Sequence, residues 1–406
     1  MDVNTAILFI FIFCGLYIQL FLLITFFEEK GPTTVDVKDF PTVSITVPCF
    51  NEAKTLSKTV HSLLALNYPP EKLTIMIVDD GSSDNTLEVA RSLESDRVQV
   101  IHKKNGGKYT ALNKAIELSK ADFVGCLDAD SEVHPDALRN MIPYFSDPNI
   151  KAVTPTMVVY NPKNLLQMVQ RVEYEIGVFT RWVYGKLNAL HVTPGPFSIF
   201  RRSIFKEIGP FKHAHNTEDM EIACRIQSHG FKIVNCPTAI VYTITPNTLK
   251  KLHVQRVRWT YGFFRNVIDY RHLFFNPKYG NIALLTLPFG VISVVSAMYI
   301  FGNMLYFTSQ NIIEHFYKWS VVGIKMPHPS FSFDWFYVST DTYSLLAILI
   351  ALMGISVLLI GRKISTGTMK PSVDILYFIL TYGFIAPVWL GKSVYNVVLA
   401  KNTPWR

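Results

Sequence analysis

Three groups of acidic residues stand where acids have no packing role. Asp79 and Asp80 close the apolar run Leu73-Thr74-Ile75-Met76-Ile77-Val78 and are followed by Gly81-Ser82-Ser83. Such a pair can serve a turn and a helix cap, for which Ser83 and Asp84 are suited. It can equally accept hydrogen bonds from the base or ribose of a nucleoside. Asp128-Ala129-Asp130 ends a second apolar run. Side chains two apart on a strand face the same side, so both carboxylates can converge on one point. Hard oxygen ligands of this kind suit Mg2+ or Mn2+. A diphosphate needs such a cation for charge neutralisation and for departure as a leaving group. Thr217-Glu218-Asp219 opens a helical segment running through Ile222 and Ile226. Thr and acids favour a capping turn there, and that turn would hold Asp219 rigidly as a general base toward a hydroxyl.

Two basic segments complement these acids. Gln255-Arg256-Val257-Arg258-Trp259 offers an arginine for phosphate and an indole for a sugar ring, against the plainer reading of a basic amphipathic helix. Lys103-Lys104-Asn105-Gly106-Gly107-Lys108 reads as a glycine loop with a lysine just before a helix, suited to a diphosphate or a base.

The elements that position these residues alternate. Residues 42–47, 73–78, 98–102 and 122–127 read as buried strands, and 52–66, 86–93 and 110–119 as helices. Strands alternating with helices imply a parallel sheet covered on both faces, with ligands beyond the carboxyl ends of the strands. Residues 164–190 and 249–270 have amphipathic spacing with basic residues and are expected at a membrane surface.

With 49% hydrophobic residues and a mean hydropathy of +0.23 in 406 residues, the chain is too apolar for a soluble domain alone. Residues 6–27, 282–307, 343–360 and 373–399 read as four spans. The expected organisation is an N-terminal helix in 1–30, a soluble domain over 38–275 and a membrane domain over 276–406. The basic loop 361–370 is assigned to the cytoplasm. The large domain then shares that side, and the 308–342 loop and the C-terminus face outward. The net charge of +8 comes without any basic–aromatic pattern of a nucleic-acid reader, and fits anionic lipid or a phosphorylated substrate. Five cysteines, none paired at metal-ligand spacing, read as buried reduced thiols.

Taken in order, Pro48-Cys49-Phe50-Asn51-Glu52, Val78-Asp79-Asp80-Gly81-Ser82, Asp128-Ala129-Asp130, Thr217-Glu218-Asp219 and Gln255-x-x-Arg258-Trp259 resemble the processive family-2 glycosyltransferases: cellulose, chitin, hyaluronan and poly-N-acetylglucosamine synthases. The resemblance spans about residues 40–275. It implies an α/β GT-A fold joined to a transmembrane helical domain, a UDP-sugar donor, Mg2+ or Mn2+, and inversion at the anomeric carbon. It assigns Pro48, Asn51, Glu52, Asp79, Asp80, Lys108, Asp128, Gln255 and Arg258 to the donor, and Asp128 and Asp130 to the metal. Asp219 becomes the catalytic base, with Gly195, Pro196, Glu218 and Trp259 on the acceptor side. Thr217-Glu218-Asp219 and Arg258-Trp259-x-x-Gly262 are closer to poly-N-acetylglucosamine and cellulose synthases, whereas Gly195-Pro196 is closer to hyaluronan and chitin synthases. The implied protein is a plasma-membrane enzyme with a cytoplasmic catalytic domain. Its substrates are UDP-sugar, UDP-N-acetylglucosamine favoured, and a growing glycan. Four spans are few for a translocation channel, so interface helices, a second copy or a secretion partner are expected to complete one. The alternatives are transfer of one sugar to a polyprenyl phosphate or ceramide-type lipid, and an inactive scaffold or transporter.

Overall fold

The computed structural model describes residues 3–28, 37, 39–323 and 342–400. Positions 1–2, 324–341 and 401–406, all expected on the outer face, lie outside the described residues.

Helix α1 (Val3–Glu28) precedes the expected alternation: β1 (Val43–Cys49), α2 (Leu56–Leu64), β2 (Leu73–Asp79), α3 (Thr86–Ser92), β3 (Val98–His102), α4 (Lys108–Leu118) and β4 (Phe123–Cys126). Next come β5 (Ser131–Val133), α5 (Ala137–Met141), β6 (Ile150–Val159), α6 (Leu165–Lys186), β7 (Ile199–Arg201), α7 (Ile204–Ile208), α8 (Glu218–Ser228), β8 (Lys232–Thr243) and α9 (Leu249–Asp269). A π-helical turn, Ile282–Thr286, runs into α10 (Leu287–Val322), and α11 (Thr342–Thr366) and α12 (Val373–Val398) complete the described chain.

The eight strands form one sheet in the order β3-β2-β1-β4-β7-β6-β8-β5. Its first half is parallel, as the alternation predicts. The second half is mixed: β7 runs antiparallel to both β4 and β6, β6 pairs in parallel with β8, and β5 is antiparallel to β8. Val43, Ile45, Val47, Ile75 and Ile77 are buried on one face, and Ser44, Thr46 and Met76 on the other. That is why these strands read as continuous apolar runs rather than alternating ones.

The chain winds from β1 outward to β3 and returns to β4 on the far side of β1. The crevice of an open α/β sheet belongs at this reversal. The β1–β2 ladder continues to Cys49↔Asp79, but the β1–β4 ladder stops at Thr46↔Cys126. Beyond that point β1 and β4 part, and Pro48, which has no N–H to donate, lies on the stretch without a β4 partner.

The four expected spans correspond to α1, the continuous Ile282–Val322 helix, α11 and α12, all long and apolar enough to cross a membrane. Their outward surface is apolar: Ile10, Phe13, Tyr17, Leu20 and Ile24 on α1, and Leu376, Ile379, Leu380 and Phe384 on α12, are all exposed. The second span is longer than the sequence suggests. It does not end near residue 307 but continues as helix to Val322, 41 residues in all, or about 60 Å at 1.5 Å per residue.

Helix α6 lies between the sheet and the membrane helices, so it sits at the expected level but under protein instead of directly under lipid. One face carries Val172 and Phe179 into clusters shared with Val357, Leu358 and Ile360 of α11 and Ile375 of α12. On the same face, Arg362 binds Glu175 (2.8 Å) and Asp374 (2.9 Å), and Arg171 binds Asp374 (2.5 Å). Glu175, Arg362 and Asp374 are almost wholly buried. Two cations and two anions with shared hydrogen bonds satisfy one another there, which burial demands. The 361–370 loop therefore lies on the same side of the membrane as the sheet, in agreement with the basic-loop argument.

Candidate active site

The loops after β1 and β2 brace each other. Asn51, at a left-handed φ of 58°, donates its N–H to Ser82 Oγ (3.0 Å) and accepts from Ser83 N–H on its Oδ1 (2.9 Å). Glu52 N–H donates to Thr86 Oγ1 (2.8 Å). Asp79 is fully buried and receives His102 Nδ1 (2.7 Å) and Ser82 N–H (3.3 Å). Asp80 receives Lys103 Nζ (2.5 Å) and the N–H groups of Gly106 (3.0 Å) and Gly107 (2.8 Å). Asp80 thus holds the Lys103–Lys108 loop over the carboxyl end of β2, and Asp79 braces His102 just before it.

That loop delivers Lys108 to the reversal. Its ammonium lies 2.5 Å from Asp128 Oδ1 and 3.8 Å from Glu218 Oε1. Burial works to lower the Lys108 pKa, but the two carboxylates outweigh it and hold the ammonium charged. Asp128 and Asp130 follow β4 in a turn and are not part of the strand. Asp130 is exposed, next to the half-buried Asp128. Desolvation by the surrounding protein, then the charges of Asp128 and Glu52, raise its carboxyl above the ordinary carboxylate range. No third His, Cys, Asp or Glu joins them as a ligand group among the described residues. Two adjacent hard oxygens, one of them open and short of positive charge, fit a divalent cation that takes its remaining ligands from a diphosphate and water.

The segment 193–197 ties this end of the site to α8. Thr193 donates both its N–H and its hydroxyl to Asp219 O (3.0 Å each). Cys126 Sγ donates to Gly195 O (2.9 Å), and Phe197 N–H to Cys126 O (2.6 Å). A Cβ on Gly195 would stand 2.5 Å from Lys108 Nζ and 3.0 Å from both Asp128 oxygens, so only glycine lets the loop approach the ion pair this closely. Pro196 beside it is partly exposed. At the start of α8, Glu218 is buried and Asp219 is partly accessible from the cleft. Burial, then the Glu218 charge, raises the Asp219 carboxyl to about 6, with Lys108 and Arg258 opposing. A carboxylate raised in this way is the better proton acceptor.

Thr217 does not cap α8 with its side chain, against the capping reading. Its hydroxyl donates to Ala214 O (2.9 Å) and accepts from Asn266 Nδ2 (3.0 Å) of α9. The same side chain packs where a Cβ on Gly262 would be, so α8 and α9 touch at a point only glycine permits. Arg258, one turn earlier, donates to Asn216 O (3.0 Å) and lies within electrostatic reach of Asp219. Gln255 and Trp259 are tied to Arg256 instead of to the acids. Gln255 Oε1 accepts from Arg256 Nη1 (3.0 Å), and the guanidinium lies 4.3 Å from the Trp259 ring centroid. Arg256 also pairs with Glu173 of α6 (2.8 Å). The motif pattern of the sequence assigns Arg256 no role. It is nearly fully buried and joins the motif to α6. The signal that could have found it is a second arginine on an apolar helical face.

A family profile described as "Glycosyltransferase like family 2" matches residues 41–262, more than half of the chain. The chain belongs to this family. Its relatives include the "Poly-beta-1,6-N-acetyl-D-glucosamine synthase" of Staphylococcus aureus (strain COL), 32% identical over 277 residues, 67% of this chain and 66% of that one. The match thus spans slightly under two thirds of that relative's length. The protein of the same name from Staphylococcus epidermidis is 30% identical over 314 residues, 76% of this chain and 72% of that one. Among solved structures, the mannosyltransferase PcManGT from Pyrobaculum calidifontis, in complex with GDP-Man and Mn2+, superposes with a TM-score of 0.64 at 17% identity. The superposition covers 98% of this chain and 97% of that one, and it shows a shared GT-A fold. The family-2 glycosyltransferase described here is a multi-pass membrane protein by the length and composition of its four spans.

Proposed function

We propose that the chain is an inverting glycosyltransferase that polymerises a β-linked polysaccharide from a UDP-sugar on the cytoplasmic face of the plasma membrane, with UDP-N-acetylglucosamine the favoured donor. The supporting observation is the bridge of Lys108 from Asp128 to Glu218, at the sheet's reversal, with Asp219 held one residue further by Thr193. The two poly-β-1,6-N-acetylglucosamine synthases favour the polymer and the amino sugar.

In this reading Pro48, Asn51 and Glu52, with Asp79, Asp80 and the loop they hold, frame the nucleoside. Asp128 and Asp130 are the residues that would hold Mg2+ or Mn2+, and such a cation would supply charge neutralisation at the diphosphate. Lys108 shifts part of its charge from Asp128 to phosphate oxygen when the donor binds. Asp219 removes the proton from an acceptor hydroxyl as that oxygen attacks the anomeric carbon. Arg258 balances charge on the departing UDP, with Gln255 on the same side. Glu218, Gly195, Pro196 and Trp259 shape the space for the acceptor end. A growing chain leaves along the membrane helices, completed as a path by a second copy or a secretion partner.

The test uses purified full-length protein, UDP-sugars in turn, Mg2+ or Mn2+, and product sizing. A polymer ladder with UDP-N-acetylglucosamine is the expected result. A single-sugar lipid product, with no ladder for any donor, would overturn the polymer reading.

A further inference from the structure

The chain enters α8 through a backbone turn that its own residues disfavour. Lys212-His213-Ala214-His215-Asn216 contains no glycine, yet Ala214, His215 and Asn216 hold left-handed φ values of 43°, 56° and 64° in succession. Residues other than glycine visit that region singly, and alanine is not among the types enriched there. Strain of this kind persists only where the surroundings enforce it, and it gathers at functional sites.

The enforcing contacts come from two helices. From α4, Asn113 Nδ2 donates to the Phe211 carbonyl (2.9 Å) and Asn113 Oδ1 accepts from the Phe211 N–H (2.8 Å). Tyr109, next to Lys108, meets the His213 ring edge-on at 5.6 Å. From α9, Asp269 Oδ2 lies 2.9 Å from His215 Nε2, and the Tyr261 ring stands edge-on to that imidazole at 6.5 Å. Within the turn, Asn216 N–H donates to the His213 carbonyl and Thr217 N–H to that of Ala214 (3.0 Å each). The turn presents the Asn216 carbonyl to Arg258 Nη1 (3.0 Å). Arg258 and Asp269 lie about three turns apart on one side of α9. Two adjacent residues of the turn therefore reach both of them.

His215 and Asp269 are both partly exposed, so their pair adds little to the stability of the whole fold. Its effect is local, at the residue before the carbonyl that Arg258 meets. We propose that His215, held by Asp269, is a positioning residue for Arg258: it locks the left-handed turn, and the Asn216 carbonyl then sets the direction of the guanidinium. This rests on the reading of Arg258 as the group that balances charge on the departing UDP. That charge develops in the transition state, so a slackened Arg258 costs turnover more than donor binding.

The experiment follows UDP release by full-length protein in lipid nanodiscs, with the UDP-sugar of fastest turnover and Mn2+. H215A should lower kcat about tenfold, less than outright loss of a transition-state donor, with KM for the donor within about twofold. D269A should do the same, and H215A/D269A no more than either, because the pair acts as a unit. H215Q, which keeps an N–H near the reach of Nε2, should recover most of the rate. In an R258Q background H215A should cost nothing further, a coupling that a merely structural role would not produce. An unchanged kcat in H215A would overturn the proposal, as would the same loss in R258Q as in wild type. Should H215A fail to fold, D269A, whose carboxylate is half-exposed, carries the same comparison with R258Q. R258Q with undiminished kcat would refute the reading of Arg258 and the proposal with it, whereas an R258Q defect to which H215A adds in full refutes the proposal alone.

Discussion

The two ends of the cleft are built on opposite plans. At the strand ends, polar residues are fixed largely through backbone N–H groups: Asp80 by those of Gly106 and Gly107 beside Lys103, and Asn51 and Glu52 through their own N–H groups to Ser82 and Thr86. At the membrane end, charged side chains are fixed by one another across helices, as in Glu173–Arg256 and the Arg171/Glu175/Arg362/Asp374 cluster. The first plan makes a rigid frame in which few residues matter beyond their own loop. The second makes each charge depend on a partner far along the chain, so that removing one leaves another stranded.

The sharpest break in this comparison comes from Asp219, which sits where the two plans meet. D219N should lower transfer by about 10²–10⁴-fold, as for loss of a general base, while UDP binding persists. Single-turnover assays beside UDP titration read both quantities, and near-normal turnover would end the assignment. Next is R362Q, which strands Glu175 and leaves Asp374 to Arg171 alone. Breaking a buried pair costs about 3–5 kcal/mol, and thermal unfolding in nanodiscs should show a correspondingly large loss. A surface variant such as K114Q, whose partner Glu117 is exposed, should change stability by less than about 1 kcal/mol. Between these two falls G262A: the added methyl meets Thr217 and pushes α8 from α9, and overpacking of about 1–3 kcal/mol should lower kcat. T217S in the same background removes the obstructing methyl and should restore part of the rate; no recovery would show that the contact does not set the geometry.

The gentlest probe is pH. With Asp219 raised to about 6, kcat/KM should fall about tenfold per unit below that value, as the native enzyme's base becomes protonated. For stability the sign is reversed. The folded state binds this proton more tightly than the unfolded chain does, so ionising Asp219 between its ordinary value and about 6 weakens the fold as pH rises. A rate profile flat to pH 5 would remove the raised carboxyl from the base's role.

The strand-end plan was the readable one. Runs such as 73–78 announce a strand buried on both faces, and acids at its carboxyl end are conspicuous because nothing local needs them. Where those acids go was not readable. Asp80 serves its own loop because Gly106 and Gly107 return to it, a contact set by chain path. The mixed half of the sheet was also hidden, since β7 is only three residues long and its partners are distant. On α6 and α9 an amphipathic pattern cannot say whether the apolar face meets lipid or protein. Nor can it tell a snorkelling arginine from one, such as Arg256 or Arg362, that is buried against a carboxylate. The extent of α10 is not legible in the sequence because Glu314, His315 and Lys318 make its far part look like a loop, although Glu and Lys are good helix formers.

That last helix carries its own implication. It starts beside the sheet, where Thr286 donates to the Ala189 carbonyl, and a hydrocarbon core of about 30 Å uses up only half of its length. The remainder, bearing exposed Phe316, Tyr317 and Trp319, must stand in the opposite headgroup layer or in the water beyond it. A cysteine placed at Glu314 is therefore reachable by a thiol reagent that cannot cross the bilayer, from the compartment the catalytic cleft does not face.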